Sequence, residues 1–332
     1  MDWPTFVTAR DQALQVNPGL MNAANTNVYA WRQQRHSPQS GDEQAQYRCH
    51  VAEAWLDSMN LDRIDTSHLL VGRGVRHSLS LLMQLMDKRK LIRPHDVYPE
   101  YARIQAASGA VTLETYEARK GLPWDILEQH KGWALLACDP LKPWVDSLTQ
   151  EEWERLVDQA GRNDGQVWID SAYQAAPSTR TQDYIRRDLP VAWLGSLSKG
   201  WLLPGIFGGV IASKPLSDAW RGRFQQEPKD VALLRQAWHV LKQYPTQPEI
   251  TERHCTQARE TLLQALKENG LSRGACDPGR GYFLTHKHSV EVLAKEGIMA
   301  IPPSVFCDPG QAEPNAGSIL SAVNMGPLGQ LP

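Results

Sequence analysis

The sequence contains few cysteines, and none of them has metal-ligand spacing. Its five cysteines are scattered over 332 residues without a CxxC pair, so neither a zinc site nor a disulfide framework is predicted. His286 and His288 flank a single lysine and could bind a metal ion if both rings faced one way along a strand. Two exposed histidines near a loop are the simpler interpretation, and we predict no metal site.

Long apolar runs and an excess of one charge are also missing. No window approaches about 18 uninterrupted apolar residues, so no transmembrane helix is expected. The formal net charge is −2, and the 22% of residues that are charged have both signs interspersed. This balance gives no electrostatic reason to expect nucleic acid or an anionic membrane as a partner. The first residues lack a basic region followed by an apolar stretch, so we expect no signal peptide and predict a cytoplasmic location.

Apolar residues and tryptophan are plentiful instead. Hydrophobic residues make up 42% of the chain and twelve residues are Trp, which indicates a packed globular body. From about residue 50, short apolar runs alternate with helical patterns, which is typical of an α/β domain with a mostly parallel sheet. The predicted strands are His68–Val71, Asp96–Tyr98, Val111–Thr115, Trp133–Cys138, Gln166–Ile169, Ala192–Gly195 and Phe207–Ala212. The predicted helices are Val75–Met86, Tyr101–Ala107, Gln150–Ala160 and a long stretch over Leu216–Tyr244.

The chain is longer than a usual single domain, so a large and a small domain are predicted. Residues 1–48 are expected to form an N-terminal segment that joins the small domain. Residues 49–225 are expected to form the large domain, with a seven-stranded, mostly parallel sheet between helices. Residues 226–332 are expected to form a smaller α+β domain. Its predicted elements are a helix over Glu252–Asn269, a strand near Gly281–His286, a helix over Val290–Glu296 and a strand near Ser318–Val323.

Two apolar strands end in residues that can carry chemistry. The first delivers Asp170 at its carboxyl end, where open α/β sheets place their ligands, and Tyr173 follows three residues later. The second ends in Ser196, Ser198 and Lys199, and the lysine lies 29 residues after Asp170. That separation allows one connecting segment between the strands. A strand-end Asp is as often a helix N-cap, so only the combination of these residues indicates a site.

These groups match a cofactor that carries a pyridine ring, an aldehyde and a phosphate. A carboxylate keeps the ring nitrogen protonated, which makes the ring an electron sink. A lysine condenses with the aldehyde as a Schiff base and later moves a proton at the substrate carbon. A phenol near the ring hydroxyl tunes the Schiff base, and serine hydroxyls beside the lysine can bind the phosphate. In this order and spacing, Asp170, Tyr173 and Lys199 together indicate pyridoxal 5'-phosphate.

A glycine-bearing turn upstream is a candidate for a second phosphate-binding element. His68–Leu79 comprises an apolar strand, a Gly-Arg-Gly turn and an amphipathic helix. The free amides and the positive dipole end of such a helix favour phosphate, although a Gly-x-Gly turn before a helix is common. The Rossmann dinucleotide pattern is excluded, because it requires a glycine where this sequence has His77.

These segments resemble class I and II aminotransferases of the aspartate-aminotransferase fold, over roughly residues 65–325. The resemblance rests on the Asp-Ser-Ala-Tyr-Gln run that begins at Asp170, on the Ser-Leu-Ser-Lys run that ends at Lys199, and on the following Leu-Pro-Gly-Ile. Tyr98–Tyr101 is similar to the segment that places an aromatic ring on the cofactor face. Pro278–Phe283 and Gly297–Phe306 look like the small-domain segments that close over the substrate.

The resemblance implies a role for each matching residue. Lys199 would be the Schiff-base lysine, and Asp170 would face the pyridine nitrogen. Tyr173 would contact the ring hydroxyl, and Tyr101 would stack on the ring. The phosphate would be held by a set of small and basic residues: Ser196, Ser198, Gly74, Val75 and Arg76.

The sequence departs from the family pattern at the phosphate site. Family members usually carry an arginine eight residues after the lysine, and here that position is Phe207. The change removes a charge-assisted bidentate contact. Arg76 belongs to the opposing loop, and our hypothesis is that it supplies the missing charge.

Two further departures concern the ring hydroxyl and the substrate. Lys142 stands where the family has an asparagine that donates to the cofactor hydroxyl; it would donate there as well, or it faces solvent after a shifted turn. The arginine that grips the substrate carboxylate in the family is absent, and the sequence has Ser318 and Ile319 in that stretch. Arg280 is the nearest candidate to replace it, and an ordinary surface arginine is the alternative.

The resemblance implies nitrogen transfer between an amino acid and a keto acid, with an unusual substrate. The alternative is a lyase, decarboxylase or cyclase with the same cofactor, which Lys142 and the missing carboxylate arginine favour. A non-catalytic descendant of the fold is disfavoured because the lysine, the aspartate and the tyrosine are all present. The family generally forms homodimers in which a partner residue reaches the phosphate, and the candidates here are Tyr29, His36 and Tyr47.

Overall fold

The computed structural model describes residues 3–23, 44–61, 63–86, 89–141, 144, 147–174, 179–187, 189–203, 207–212, 220–223, 231–310 and 317–323. Its main element is a seven-stranded sheet with the strand order β2-β8-β7-β6-β5-β3-β4. The strands are, in chain order, β1 (Met21–Asn22), β2 (Leu69–Gly72), β3 (Lys90–Pro94), β4 (Thr112–Tyr116), β5 (Trp133–Cys138), β6 (Gln166–Asp170), β7 (Val191–Ser196), β8 (Gly208–Ala212), β9 (Ala275–Cys276), β10 (Phe283–His286), β11 (Ile298–Met299) and β12 (Ser318–Ser321).

The sheet is mostly parallel, as the sequence predicts. Strands β4, β3, β5, β6 and β7 run parallel to one another, whereas β8 runs antiparallel to both β7 and β2. Strands β5 and β7 are buried along their whole length, because both faces of a parallel sheet are covered by helices. The protein therefore has an α/β architecture whose parallel strands all end at one edge of the sheet.

The prediction of a strand at Asp96–Tyr98 is wrong. The strand lies earlier, at Lys90–Pro94, where the two basic residues obscure the apolar pattern in the sequence. The buried carboxylate of Asp96 instead accepts hydrogen bonds from the amides of Ala118 at 2.8 Å and Arg119 at 3.2 Å. Asp96 therefore holds the connection that follows β4.

The helices begin and end near their predicted bounds. The helix at Gln150–Arg162 shows why: Thr149 and Glu152 form a capping box, and the side chains of Trp153 and Leu156 are buried on one face. The long predicted stretch over Leu216–Tyr244 includes a helix at Val231–Gln243, and a separate helix follows at Gln247–Glu268. The remaining helices are Trp3–Val16, Gln44–Ser58, Val75–Gln84, Glu100–Ser108, Trp124–Gln129, Thr179–Arg186, Leu197–Gly200 and Val290–Lys295.

The C-terminal part has its own sheet and its own apolar cluster. Strand β10 pairs antiparallel with β12 and β9, and β1 pairs parallel with β11, which ties the N-terminal segment to this part. The helix Val231–Gln243 packs elsewhere: Leu234 and Leu241 belong to the core cluster of the large sheet. The core of the large sheet thus extends beyond residue 225, and the predicted domain limits stay predictions.

His286 is buried rather than exposed. Its Nε2 donates to the carbonyl oxygen of Leu271 at 2.8 Å, and its Nδ1 accepts from the amide of His288 at 3.1 Å. Burial lowers the pKa of His286, which agrees with a neutral ring in this arrangement. No group of three metal-ligating side chains occurs among the residues that the structure describes. Within the same residues, no helix has the length and apolar character needed to cross a membrane.

Candidate active site

The strand register brings the predicted site residues to one edge of the large sheet. Cys138 at the end of β5 pairs with Asp170 at the end of β6, and Asp170 in turn pairs with Leu194 of β7. Ser196 ends β7 opposite Gly208, the first residue of β8. Because β8 is antiparallel, its beginning lies at the edge where the parallel strands end. The chemistry-bearing residues predicted from separate strands are thus neighbours.

Asp170 is a buried carboxylate with donors on both oxygens. It is 2% exposed. The hydroxyl of Tyr101 donates to Oδ2 at 2.5 Å, and the amide of Ala172 donates to Oδ1 at 2.9 Å. The second bond closes a turn directly after the strand, so it fixes the carboxylate to the backbone that carries it. The negative charge is therefore held in an orientation set by the fold.

Lys199 lies on a short helix that follows β7. The helix spans Leu197–Gly200, and the Ser196 side chain accepts from the amide of Ser198 at its start. The Lys199 amine lies 5.2 Å from the ring centroid of Tyr173 and 5.8 Å from that of Tyr282. Both distances are within reach of a cation–π attraction. The amine faces a cleft lined by Tyr173, Gly200, Pro248, Thr251, Glu252, Cys255, Gly281 and Tyr282.

Tyr173 connects the lysine to the C-terminal part. Its ring centroid lies 5.4 Å from that of Tyr282 and 5.5 Å from that of Phe283. Burial, and then the neighbouring Tyr173 phenol, raise the pKa of Tyr282 well above its ordinary value. Both aromatic partners belong to an apolar cluster of the C-terminal part, against which Tyr173 packs. One wall of the lysine cleft is therefore aromatic.

The predicted phosphate-binding residues converge on the beginning of β8. Gly208 pairs with Ser196 on one side and with Gly72 on the other, so these two residues are two strand spacings, or about 10 Å, apart. Gly74 has φ 95° and precedes the helix Val75–Gln84. A Cβ on Gly208 would lie 2.9 Å from the Cα of Gly74, so the close approach requires glycine.

The serines of this cradle bond to one another. The hydroxyls of Ser196 and Ser198 are 2.7 Å apart, and both side chains are buried. Together with the helix start after Gly74, they offer hydroxyl and amide donors to a compact anion. This donor set fits a phosphate group.

The basic residue predicted for the cradle has another partner. The Arg76 guanidinium forms an ion pair with Glu100, and its side chain is 65% exposed. Glu100 also pairs with Arg103 at 2.6 Å. Phe207, at the position where the resemblance predicts a phosphate arginine, is 1% exposed and packs in the large core. The sequence did not indicate the contact between Arg76 and Glu100.

The two tyrosines of the Tyr98–Tyr101 segment have different environments. Tyr101 is 1% exposed and its hydroxyl is committed to Asp170, so little of its ring is available to a ligand. Tyr98 is half-buried, and its ring meets that of Tyr101 edge-on at 5.3 Å. The contact between Tyr101 and Asp170 was missed because it joins residues 69 positions apart, and no local pattern signals it.

Arg280 reaches across to the large sheet. Its guanidinium donates to the hydroxyl of Ser147, which donates to Oδ1 of Asp139 at 2.5 Å. The turn that carries it is held by buried Arg259, whose Nε donates to Asp277 at 3.0 Å. Arg280 therefore lies near the end of β5, where it reaches, through Ser147, the residue that follows Cys138. The peptide bond between Asp139 and Pro140 is cis. Lys142, which was the candidate for the cofactor hydroxyl, lies outside the described residues.

The position of the missing carboxylate arginine is apolar. Ile319 is fully buried and belongs to the cluster that includes Tyr282 and Phe283. The hydroxyl of neighbouring Ser318 is also buried. Among the candidates for a residue that reaches a partner subunit, Tyr29 and His36 lie outside the described residues. Tyr47 is 7% exposed, and its hydroxyl accepts from Nε of Arg235 at 2.8 Å in the same chain.

Known structures share this architecture. An aminotransferase from Mycobacterium tuberculosis superposes with a TM-score of 0.74 at 16% identity, over 98% of this chain and 92% of that one. A double mutant of Thermus thermophilus aspartate aminotransferase gives a TM-score of 0.66 at 17% identity, over 99% and 86%. An Escherichia coli protein with a described methionine aminotransferase function gives 0.67 at 18%, over 97% and 86%. At these identities the similarity establishes the fold. No curated protein sequence matches the chain.

The fold is of the aspartate-aminotransferase-like, fold type I architecture. The sequence model of the family described as aminotransferase class I and II matches residues 20–307. The chain therefore belongs to the class I and II aminotransferases, and the protein is a transferase of nitrogenous groups. This family depends on pyridoxal phosphate.

Proposed function

We propose that the protein moves nitrogen between an amino acid and a keto acid, with pyridoxal 5'-phosphate held at the carboxyl edge of the large sheet. The observation that carries the proposal is the relation between Asp170 and Lys199. A buried carboxylate ends β6, and a half-buried lysine follows the neighbouring strand β7. The cofactor supplies an electron sink for a carbanion when bound. The chain supplies the carboxylate of Asp170 and the amine of Lys199, and the fold orients both.

Each residue at the carboxyl edge of the large sheet has a separate proposed role. Lys199 would bond to the cofactor aldehyde and later carry a proton at the substrate carbon. Asp170 would hold the ring nitrogen, and Tyr173 would donate to the ring hydroxyl. The phosphate would bind the hydroxyls of Ser196 and Ser198. The start of the helix after Gly74 supplies amide donors on the opposite side, from Val75 and Arg76.

Tyr98 is our candidate for the ring that covers the cofactor face. Tyr101 was expected in that role, but its ring is buried and its hydroxyl is bound to Asp170. Tyr98 lies in the same segment and retains exposed surface. Because the Tyr98 ring is only half-buried, a planar ligand can pack against it.

Arg280 is our candidate for the substrate carboxylate. Its guanidinium extends from the C-terminal part toward the end of β5 and bonds to Ser147. A carboxylate can replace this hydroxyl as a stronger, charge-assisted acceptor. Buried Ile319 stands where relatives carry their carboxylate arginine, so the substrate group must be held from another direction. A homodimer and a cytoplasmic location complete the proposal.

Borohydride reduction tests the covalent part. After incubation with pyridoxal 5'-phosphate and reduction, peptide mapping should find the cofactor fixed on Lys199. The Lys199→Ala variant should contain no fixed cofactor, whereas Lys242→Ala, which removes an exposed lysine paired with Asp57, should be labelled like the wild type. Labelling spread over surface lysines would overturn the assignment.

The reaction type is tested with amino acid and keto acid pairs. Transfer of nitrogen with an intact carbon skeleton is the expected result. Release of carbon dioxide or of a leaving group instead would establish the lyase alternative, which the apolar Ile319 position favours.

A further inference from the structure

Tyr101 and Cys138 form a buried chain of hydrogen bonds that ends on Asp170. The Tyr101 hydroxyl lies 2.5 Å from Oδ2 of Asp170 and 3.1 Å from Sγ of Cys138. The three residues are 1%, 6% and 2% exposed, for Tyr101, Cys138 and Asp170 respectively. Because the phenol proton is committed to the carboxylate, the thiol is the donor in the second bond. The Cys138 thiol therefore helps to orient the Tyr101 hydroxyl toward Asp170.

Three different elements produce this chain. Cys138 ends β5 and pairs in register with Asp170 of β6, so the two side chains begin from adjacent strands. Tyr101 comes from the first turn of the helix Glu100–Ser108 and enters between them. An arrangement with one member on each of three elements is sensitive to the position of all three. The hydroxyl of Tyr101 therefore stays on Asp170 only while all three elements keep these positions.

The phenol is a permanent donor. Burial, and then the charge of Asp170, raise the pKa of Tyr101 well above its ordinary value. The hydroxyl therefore keeps its proton throughout the pH range in which proteins fold. A carboxylate withdrawn from water is stable as an anion only when donors surround it, and here Tyr101 and the Ala172 amide provide them.

We infer that Tyr101 is a positioning residue that keeps a shared proton on the ring nitrogen of the cofactor rather than on Asp170, with Cys138 orienting its hydroxyl. The inference rests on the function proposed above. In a dry contact between a ring nitrogen and a carboxylate, a single proton can reside on either atom. A donor to the carboxylate stabilises its ionised form and leaves the proton on nitrogen. Protonation of the ring nitrogen makes the ring a stronger electron sink.

The decisive experiment reads the ring nitrogen directly. The holoenzyme is prepared with cofactor labelled with ¹⁵N in the ring, and its NMR resonance is compared between wild type and Tyr101→Phe. We expect the resonance of the variant to move toward the neutral-pyridine position. The ratio of protonated to neutral ring should fall about tenfold or more, as loss of a hydrogen bond to a charged group implies.

A second buried tyrosine provides the matched control. Tyr116 is 7% exposed, and its hydroxyl donates to the carbonyl oxygen of Leu136 at 3.0 Å. Tyr116→Phe removes the same atoms from the same core without touching Asp170. Its ring-nitrogen resonance should match the wild type. An equal shift in both variants, or no shift in Tyr101→Phe, would overturn the inference.

Graded variants keep the test decisive if Tyr101→Phe does not fold. Fluorinated tyrosines at position 101 retain the shape of the phenol and donate more strongly, so they should move the resonance progressively toward the protonated position. Cys138→Ala should shift it toward neutral, by less than Tyr101→Phe. A purely structural role predicts no dependence on phenol acidity.

The outcomes separate this inference from the proposed function. If borohydride fixes no cofactor on Lys199 in the wild type, the proposed function fails and the inference falls with it. If Lys199 is labelled but the nitrogen resonance ignores position 101, only the role of Tyr101 is refuted.

Discussion

Arg93 donates a hydrogen bond from Nη1 to Oδ2 of Asp308 at 2.6 Å, and so joins the large sheet to the C-terminal part. Arg93 lies in β3, and Asp308 follows the turn at Pro303–Phe306. The two side chains are only 8% and 12% exposed. Removal of one partner leaves the other charge buried, which costs far more than loss of a surface ion pair.

We therefore expect Arg93→Met to lower the free energy of unfolding by about 3 kcal/mol or more. The additional change Asp308→Leu should recover most of that loss, because it removes the isolated charge. Urea denaturation measures both. Glu128→Gln is the control, because it breaks only an exposed ion pair with Arg155 and should change stability by about 1 kcal/mol or less. A similar small effect for Arg93→Met would show that the link is not structural.

Arg76 and Arg103 share the carboxylate of Glu100, which allows their roles to be separated. Both arginines are well exposed, so either change to Ala should alter the free energy of unfolding by about 1 kcal/mol or less. Only Arg76 follows the helix start at Gly74. Arg76→Ala should weaken retention of pyridoxal 5'-phosphate on dilution at least tenfold, the size of one lost charge-assisted contact. Equal retention in both variants would exclude the Arg76 guanidinium, though not its backbone amide, from the phosphate site.

The charge of Asp170 should matter more than its shape. Asp170→Asn preserves the volume but would abolish the proposed ion pair with the ring nitrogen, so nitrogen transfer should slow by on the order of 100-fold. Asp96→Asn is the control, because Asp96 is also 2% exposed but accepts from backbone amides near Ala118. Steady-state assays with one amino acid donor compare the two. A comparable loss in Asp96→Asn would point to a general effect of buried carboxylates.

Two buried thiols should resist alkylation at moderate pH. Burial raises the pKa of Cys255 to about 12 and that of Cys307 to about 11. At pH 8 their thiolate fractions are then on the order of 10⁻⁴ and 10⁻³. Iodoacetamide should modify the exposed thiols of Cys49 and Cys276 first, as mass spectrometry of peptides will show. Fast modification of Cys255 in the native protein would contradict its burial.

The raised pKa values of the same two thiols make the stability of the fold depend on pH in the alkaline range. The folded protein holds both protons more tightly than the unfolded chain, in which a thiol has a pKa of about 8.5. Their contribution to stability is therefore complete below that pH and is lost as the pH rises through 11 and 12. Between pH 9 and pH 11, the melting temperature of the wild type should therefore fall partly because of these two thiols. Cys255→Ala and Cys307→Ala each remove one of them, so each variant should show a shallower decline of the melting temperature over this range.

Local features of the site follow from the sequence alone. An apolar run that ends in Asp170, a second that ends in Ser-Leu-Ser-Lys, and a glycine turn before an amphipathic helix each lie within about ten residues. Such patterns depend on the period of side chains along one element, which the order of residues specifies directly. They predict the α/β class and the mostly parallel sheet, whereas the family was predicted from the resemblance of the motifs around Asp170 and Lys199. All three predictions are confirmed.

Contacts between distant elements were decided only by the tertiary structure. Nothing in the sequence signals that Tyr101 bonds to Asp170, that Arg76 pairs with Glu100, or that Arg93 pairs with Asp308. Each contact depends on the order in which strands are placed in the sheet and on how helices pack across it. That order minimises the free energy of the whole chain, so no short segment contains it. The segments that carry the candidate site residues could therefore be predicted from the sequence, whereas the contacts that orient these residues could not.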